Sequence, residues 1–347
     1  MNNYTPFSEI GEFGFINRID QLNTIKNKNI IKGIGDDAAV INNANEVTLI
    51  STDILIENVH FDITYTNFHY LGYKAAVVNF SDIIAMNSYP MAITVSIAIS
   101  NRYSVEDIEN LYKGILEACK KYNVDLVGGD TTSSRYGLFI SITVIGQNKK
   151  DKIVYRNGAK ETDLICVSGN LGAAYYALLL LEREKKVFIK NSIQPSLEKY
   201  EYIIRRQLKP EARIDIIKNL EELSIIPTSM IDISDGLASE IIHICNQSDK
   251  GCYIYEEKIP INYNSENFAN EVNIHPITAA LNGGEDYELL FTVPVKLYEE
   301  INKIDDITVI GYITNKDEGR NMETKSGNVI QLKALGWNSF NNNDEKL

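Results

Sequence analysis

Six short segments end an apolar, strand-like run with an acidic residue beside glycine or a hydroxyl. They read GIGDDAAVI (33–41), LISTDIL (49–55), AVVNFSDIIAM (76–86), LVGGDTT (126–132), MIDISDG (230–236) and NGGEDYELLF (282–291). A carboxylate held next to apolar strands is costly unless something compensates it. Hard divalent cations such as Mg²⁺ are a natural compensation, because they take oxygen ligands, usually one or two carboxylates plus substrate phosphates. Acidic residues placed alike in six distant loops therefore point to one polyphosphate site built from many parts of the chain.

Each segment also has a plainer account. Asp36 and Asp37 follow a glycine turn, and Asp and Gly dominate ordinary turns. Ser51, Thr52 and Asp53 offer three hard oxygens at a strand end. Asp82 lies inside an apolar helical stretch, where an unpaired carboxylate is expensive; the competing role is N-cap of a new helix. In GGDTT, two glycines allow close backbone approach to a ligand and Asp130 supplies an oxygen. Ser234 and Asp235 precede a helix whose free N–H groups suit a phosphate, or they simply cap it, but a cap leaves Asp232 unexplained. Glu285 and Asp286 follow a glycine pair, and one of them is expected to face a ligand. GNLGAA (169–174) reads as a phosphate loop or, more commonly, as a strand-to-helix connection. Arg156 is a phosphate clamp or a solvated loop residue.

Absent motifs narrow the class. The sequence has no GxxxxGK[ST], no GxGxxG opening a βαβ unit, no kinase HRD or DFG and no GxSxG. A nucleotide user of this kind positions its phosphates with metals rather than with a P-loop lysine. The net charge of −13 and the lack of a basic run argue against nucleic-acid binding. The N-terminus lacks the pattern of a secretory signal, and no apolar run reaches the ~20 residues of a membrane span. Four dispersed cysteines form no CxxC pair, which fits buried inert thiols and a cytoplasmic protein.

These residues must be carried by alternating strands and helices. Strands are expected at 47–55, 92–100, 126–130, 138–147, 164–170, 228–233, 285–294 and 307–313. Helices are expected at 69–86, at 104–123 with Ser104 and Asp107 as a capping box, at 173–186, at 191–210, at 212–223 and from 234 onward. At 347 residues, with 44% apolar and 23% charged residues, the chain suits two lobes of α/β or α+β type. The polar stretch 148–163 sets the boundary, giving lobes 1–150 and 151–347. The segment 258–280 has no clear pattern.

Taken together and in this order, GIGDD, STD, VHF, NFSDIIAM, GGDTT, IDISDG, GGEDYEL and the terminal GWNSF resemble the thiamine-monophosphate kinases. That family belongs to an ATP-binding superfamily with aminoimidazole ribonucleotide synthetase. The resemblance runs from residue 33 to 340. It implies a two-lobed aminoimidazole ribonucleotide synthetase-like fold that dimerises through the N-terminal sheet. It implies ATP-dependent phosphorylation of thiamine monophosphate to thiamine diphosphate by direct in-line transfer, with several Mg²⁺ ions. The metal ligands it implies are Asp37, Ser51, Thr52, Asp53, Asp82, Asp130, Asp232 and Asp235. Tyr112, Gly129, Arg156 and Ser234 match nucleotide contacts; His60, Glu285 and Trp337 match contacts to thiamine phosphate. Selenophosphate synthetases fit less well, since they need a reactive residue near the N-terminus and the first cysteine here is Cys119. The hydrogenase-maturation relatives end in a cysteine that the tail NNNDEKL lacks. A metal-dependent phosphohydrolase and a non-catalytic nucleotide binder are the alternatives from other classes.

Overall fold

The apolar runs of the first half pair into one sheet in the computed structural model of the chain, which describes residues 7–335. Its strands are β1 (Ile30–Lys32), β2 (Ala39–Asn43), β3 (Glu46–Ile56), β4 (Tyr89–Ser100), β5 (Asp125–Ser134) and β6 (Phe139–Lys149). They lie in the order β1-β2-β3-β6-β4-β5, antiparallel throughout except for the pair β4 and β5. A parallel pair needs a crossover connection. The helix over 105–122 supplies it.

Helix α1 (Phe7–Leu22) is broken at Gly11, and α2 (Phe68–Ala85) and α3 (Val105–Tyr122) follow. The capping box of α3 forms as expected, Ser104 Oγ accepting from the Asp107 N–H and Asp107 accepting from the Ser104 N–H. Helix α2 is buried on every side, with fourteen of its eighteen residues out of solvent. It packs on α3, on β3, β4 and β6, and on a strand of the second sheet over 229–232. Its crossing with α3 is close because a Cβ at Gly72 or Gly114 would come within 1.9 Å of the Leu111 carbonyl or 1.8 Å of the His69 carbonyl.

The second sheet comprises β7 (Leu164–Ser168), β8 (Ser229–Asp232), β9 (Gly251–Tyr255), β10 (Leu289–Val293), β11 (Ile307–Thr314), β12 (Arg320–Glu323) and β13 (Val329–Gln331). Its order is β13-β12-β9-β11-β7-β10-β8, with only β12 and β9 parallel. The second half also holds helices α4 (Ala173–Asn191), α5 (Glu201–Leu208), α6 (Ile214–Glu222), α7 (Leu237–Ser248), α8 (Tyr263–Glu271) and α9 (Pro276–Asn282), of which α7 packs on β8, β9 and β10 while α4, α5 and α8 pack on one another. The largest core runs unbroken between the sheets, joining Ile142 and Val144 of β6 to Ile216 of α6, Met230 of β8 and Phe291 of β10.

Several expectations shift. The helix expected over 191–210 forms only at Glu201–Leu208, after an exposed stretch and one 3-10 turn. Strand β10 begins at Leu289 rather than 285, because residues 284, 285 and 287 have positive φ and make a loop. Strand β5 continues to Ser134, so GGDTT lies within the strand rather than at its end. The unpatterned 258–280 holds α8 and the start of α9. All four cysteines are buried and free. Among the described residues no helix is long and apolar enough to cross a membrane.

Candidate active site and metal centre

The loop before β2, the last turns of α2 and the end of β8 converge on one point. There Asp37, Asp82 and Asp232 bring carboxylate oxygens within 4.8 Å of one another. Asp82 caps no new helix; it sits inside the continuous α2, its Oδ2 accepting a 2.6 Å hydrogen bond from Ser51 Oγ of β3. Asp232 Oδ2 accepts a 2.6 Å bond from Ser81 Oγ, one residue before Asp82. Asp37 is gripped by Arg156, whose Nε and Nη2 donate to its two oxygens at 3.0 and 2.7 Å. The guanidinium fork matches a carboxylate bidentately.

One guanidinium does not balance this much charge. Burial, then Asp53, Asp232 and Asp37, push Asp82 well above the usual carboxylate range. Burial and Asp37 push Asp232 up to about 7. Asp53 and Asp235 rise to about 6 through burial and then the charge of Glu12 on α1. Desolvation and like charges both favour the neutral acid. The donor set is all oxygen and carries surplus negative charge, which fits a hard divalent cation such as Mg²⁺.

The pleat of the first sheet divides the other expected ligands. The row Asp53, Ile142, Val95, Gly129 has its two middle residues buried, and the Asp53 N–H bonds Asn79 Oδ1 of α2 at 3.1 Å. Ser51 and Asp53 therefore face the helices and the carboxylate group. Thr52 lies on the opposite face, bonded at 3.1 Å by Thr143 Oγ1 of β6. Asp130 stands in the row Ile54, Ser141, Ser96, Asp130, also on that outer face and exposed. It is three strands from β3, roughly 14 Å along the sheet at ~4.8 Å per strand. Gly129 shares this edge strand, where a Cβ would meet the Val95 carbonyl at 1.9 Å. Tyr112 is half-buried on α3 against the core.

The two loops of the second sheet lock together. The Glu285 N–H donates to the Ser234 carbonyl at 2.7 Å and the Tyr287 N–H to the Ile233 carbonyl at 2.9 Å. Gly236 and Gly284, at φ 119 and 70, leave no room for a side chain between the loops. Gly236, rather than Ser234 or Asp235, occupies the N-cap of α7, and the Asp235 N–H is held by Glu240 Oε1 at 3.0 Å. The turn at 169–174 binds a side chain of the protein itself, the Gly172 N–H donating to Asp286 Oδ2 at 2.7 Å. Asp286 thus faces inward and Glu285 outward. Glu285 accepts from Lys74 at 2.8 Å and from Gln207 Nε2 at 2.6 Å. His60, after β3, accepts at Nδ1 from the Ile56 N–H at 3.0 Å. Burial, and to a lesser extent the charge of Lys74, lower its pKa, while Glu285 opposes them. Trp337 lies outside the described residues.

Glu12, Lys74 and Glu240 are site neighbours outside the motifs, and Ser81, within NFSDIIAM, was given no role of its own. Lys74 carried a usable signal, since it interrupts an apolar helix as Asp82 does.

The sheets and the carboxylate group define an AIR synthase-like α/β protein. Residues 35–148 match the family described as AIR synthase related protein, N-terminal domain. The thiamine-monophosphate kinase of Buchnera aphidicola subsp. Schizaphis graminum is 37% identical over 343 residues, covering 96% of this chain and 99% of that protein. That of Bacillus subtilis is 33% identical over 338 residues, covering 95% and 99%. The solved structure of AaThiL complexed with AMPPCP and TMP superposes with a TM-score of 0.83 at 31% identity, covering 97% of this chain and 99% of that one. The chain belongs to the thiamine-monophosphate kinase family.

Proposed function

We propose that this protein transfers the γ-phosphoryl group of ATP to thiamine monophosphate, giving thiamine diphosphate and ADP. The convergence of Asp37, Asp82 and Asp232 from three distant segments carries the reading, in a chain that matches its kinase relatives over nearly full length. A phosphate oxygen of the acceptor forms the new bond to the γ-phosphorus as the bond to the β-bridging oxygen breaks and ADP leaves. That acceptor oxygen is largely ionised at pH 7, with a second pKa near ~6, so no general base is required.

Two highly charged phosphate groups must be brought together. Mg²⁺ bound by Asp37, Asp82 and Asp232, with Ser51, Asp53 and Asp235 alongside, would neutralise that charge. The remaining work is positioning. Arg156 and Ser234 are assigned to the nucleotide, as are Tyr112 and Gly129 of the α3–β5 edge. His60, Glu285 and Trp337 are assigned to thiamine phosphate. Thr52 and Asp130, on the outer face, are assigned as metal ligands by family resemblance alone.

We place the protein in the cytoplasm as a homodimer, with lobes 1–150 and 151–347. Self-association is supported by the outer face of the first sheet, where Ile54, Met91 and Val127 are exposed, and by the uncovered edge strand β5. The deciding experiment is a coupled assay. ADP formation that requires both thiamine monophosphate and Mg²⁺ is expected; ADP or phosphate release independent of the acceptor overturns the assignment.

A further inference from the structure

Lys74 is the one buried lysine among the described residues, and it lies in the middle of a helix that is otherwise nearly all apolar on its inner faces. Burying an ammonium is costly unless it is paired. Its partner is Glu285, whose Oε1 is 2.8 Å away and whose side chain keeps about a third of its surface open. Gln207 of α5 holds the other oxygen. The Glu285 backbone is also fixed in the left-handed region, at φ 56, between Gly284 and Asp286. For a non-glycine residue that conformation is strained and persists only where the surroundings impose it. Three elements thus aim one carboxylate.

Lys74, Val78, Ser81 and Asp82 run along one face of α2. At ~1.5 Å rise per residue the backbone of Lys74 lies about 12 Å along the helix axis from that of Asp82. One end of the helix face thus joins the carboxylate group and the other fixes Glu285, whose charge acts on His60. We propose that Lys74 is a positioning residue of the acceptor subsite, clamping Glu285 in the orientation that receives the cationic ring of the acceptor. This rests on the function proposed above. A leucine or methionine would pack α2 equally well, so packing does not explain the lysine.

The test compares Lys74→Met, Lys74→Arg and Glu285→Gln. Lys74→Met is expected to raise KM for thiamine monophosphate about tenfold while KM for ATP stays within about twofold. Lys74→Arg should recover part of the loss. The double variant should be no worse than Glu285→Gln alone, since both act through one carboxylate. Equal changes in both KM values, or additive effects, overturn the proposal. Should Lys74→Met not fold, Gln207→Leu removes the second clamp and must show the same selective KM change. A wild-type protein without acceptor-dependent ADP formation rejects the parent reading and this one with it. An active wild type with an indifferent Lys74→Met rejects this one alone.

Discussion

Arg156 and Asp37 stand 119 positions apart in the chain, yet two parallel hydrogen bonds join them. The pair ties the loop before β2 to the stretch that leads into the second sheet. The Asp37 side chain is wholly buried and that of Arg156 keeps 17% of its surface open. Removing one member of a buried pair leaves a charge uncompensated, at about 3 kcal/mol or more. Arg156→Gln should therefore lower the melting temperature in chelator far more than in saturating Mg²⁺, where metal replaces the lost cation. Its KM for ATP should also rise about tenfold. Differential scanning fluorimetry with and without Mg²⁺ checks the first claim; equal losses in both buffers would show that Arg156 does not share its role with metal.

Asp82 gives the opposite stability effect. Its charge is opposed by burial and by three other carboxylates. Asp82→Asn should raise the melting temperature of the metal-free protein while lowering kcat about a hundredfold or more. Asp53→Asn should behave alike, and Asp130→Asn should lose activity with little change in stability because it is exposed. Turnover near wild type in both Asp53→Asn and Asp130→Asn at saturating Mg²⁺ removes the metal reading from those residues.

Stability should depend on pH in a metal-linked way. Asp53 and Asp235 titrate at about 6 and Asp232 at about 7 in the folded protein, above the ordinary carboxylate value. The folded state therefore holds protons that the unfolded state has released. Stability contributed by these groups is full below the unfolded value and is lost as pH rises through 6 to 7. His60 and His243 act in the opposite sense at the acid end, since burial lowers both. The informative quantity is thus the difference between Mg²⁺ and chelator. It should widen from pH 5.5 to 8 as the carboxylates become free to bind metal. A difference that is constant or shrinks over that range contradicts the site.

Trp337 is the only tryptophan in the chain. If its indole meets the thiamine rings, a cation–π or stacking contact of roughly 0.5–2 kcal/mol is at stake. Trp337→Ala should raise KM for thiamine monophosphate by up to about tenfold and leave KM for ATP nearly unchanged. Titrating the acceptor should change the intrinsic fluorescence of the wild type.

The exposed outer face of the first sheet predicts a dimer in solution. Light scattering should give about twice 39.1 kDa. Val127→Glu, at a position 60% exposed on β5, should shift the mass toward the monomer. A monomer mass for the wild type over a wide concentration range refutes this.

What the sequence revealed follows the range of the forces involved. The Ser104–Asp107 capping box and the α3 periodicity are local, and both were legible. Asp82 betrayed itself as a charge inside an apolar helix. The acidic motifs pointed to one shared site, but which carboxylates meet in it, Asp82 with Asp37 and Asp232, is decided by strand order and tertiary packing. Strand pairing also decides which neighbours of Asp53 face inward. Thr52 and Asp130 look equivalent to Ser51 and Asp53 in a motif, and only the pleat separates them. The strand expected from 285 starts only at Leu289, because the alternation of Tyr287, Leu289, Phe291 and Val293 does not reveal the positive φ of Gly284, Glu285 and Tyr287.

The core that runs from Ile142 and Val144 into Met230 and Phe291 has no seam between the sheets. A chain cut near residue 150 would expose raw apolar surface on both fragments, so neither should be recoverable as a soluble, cooperatively melting piece. The same continuity means that heat should dismantle the carboxylate group and the Glu285 clamp in one transition. An insertion or graft that replaces one half wholesale would have to bring its own version of α2.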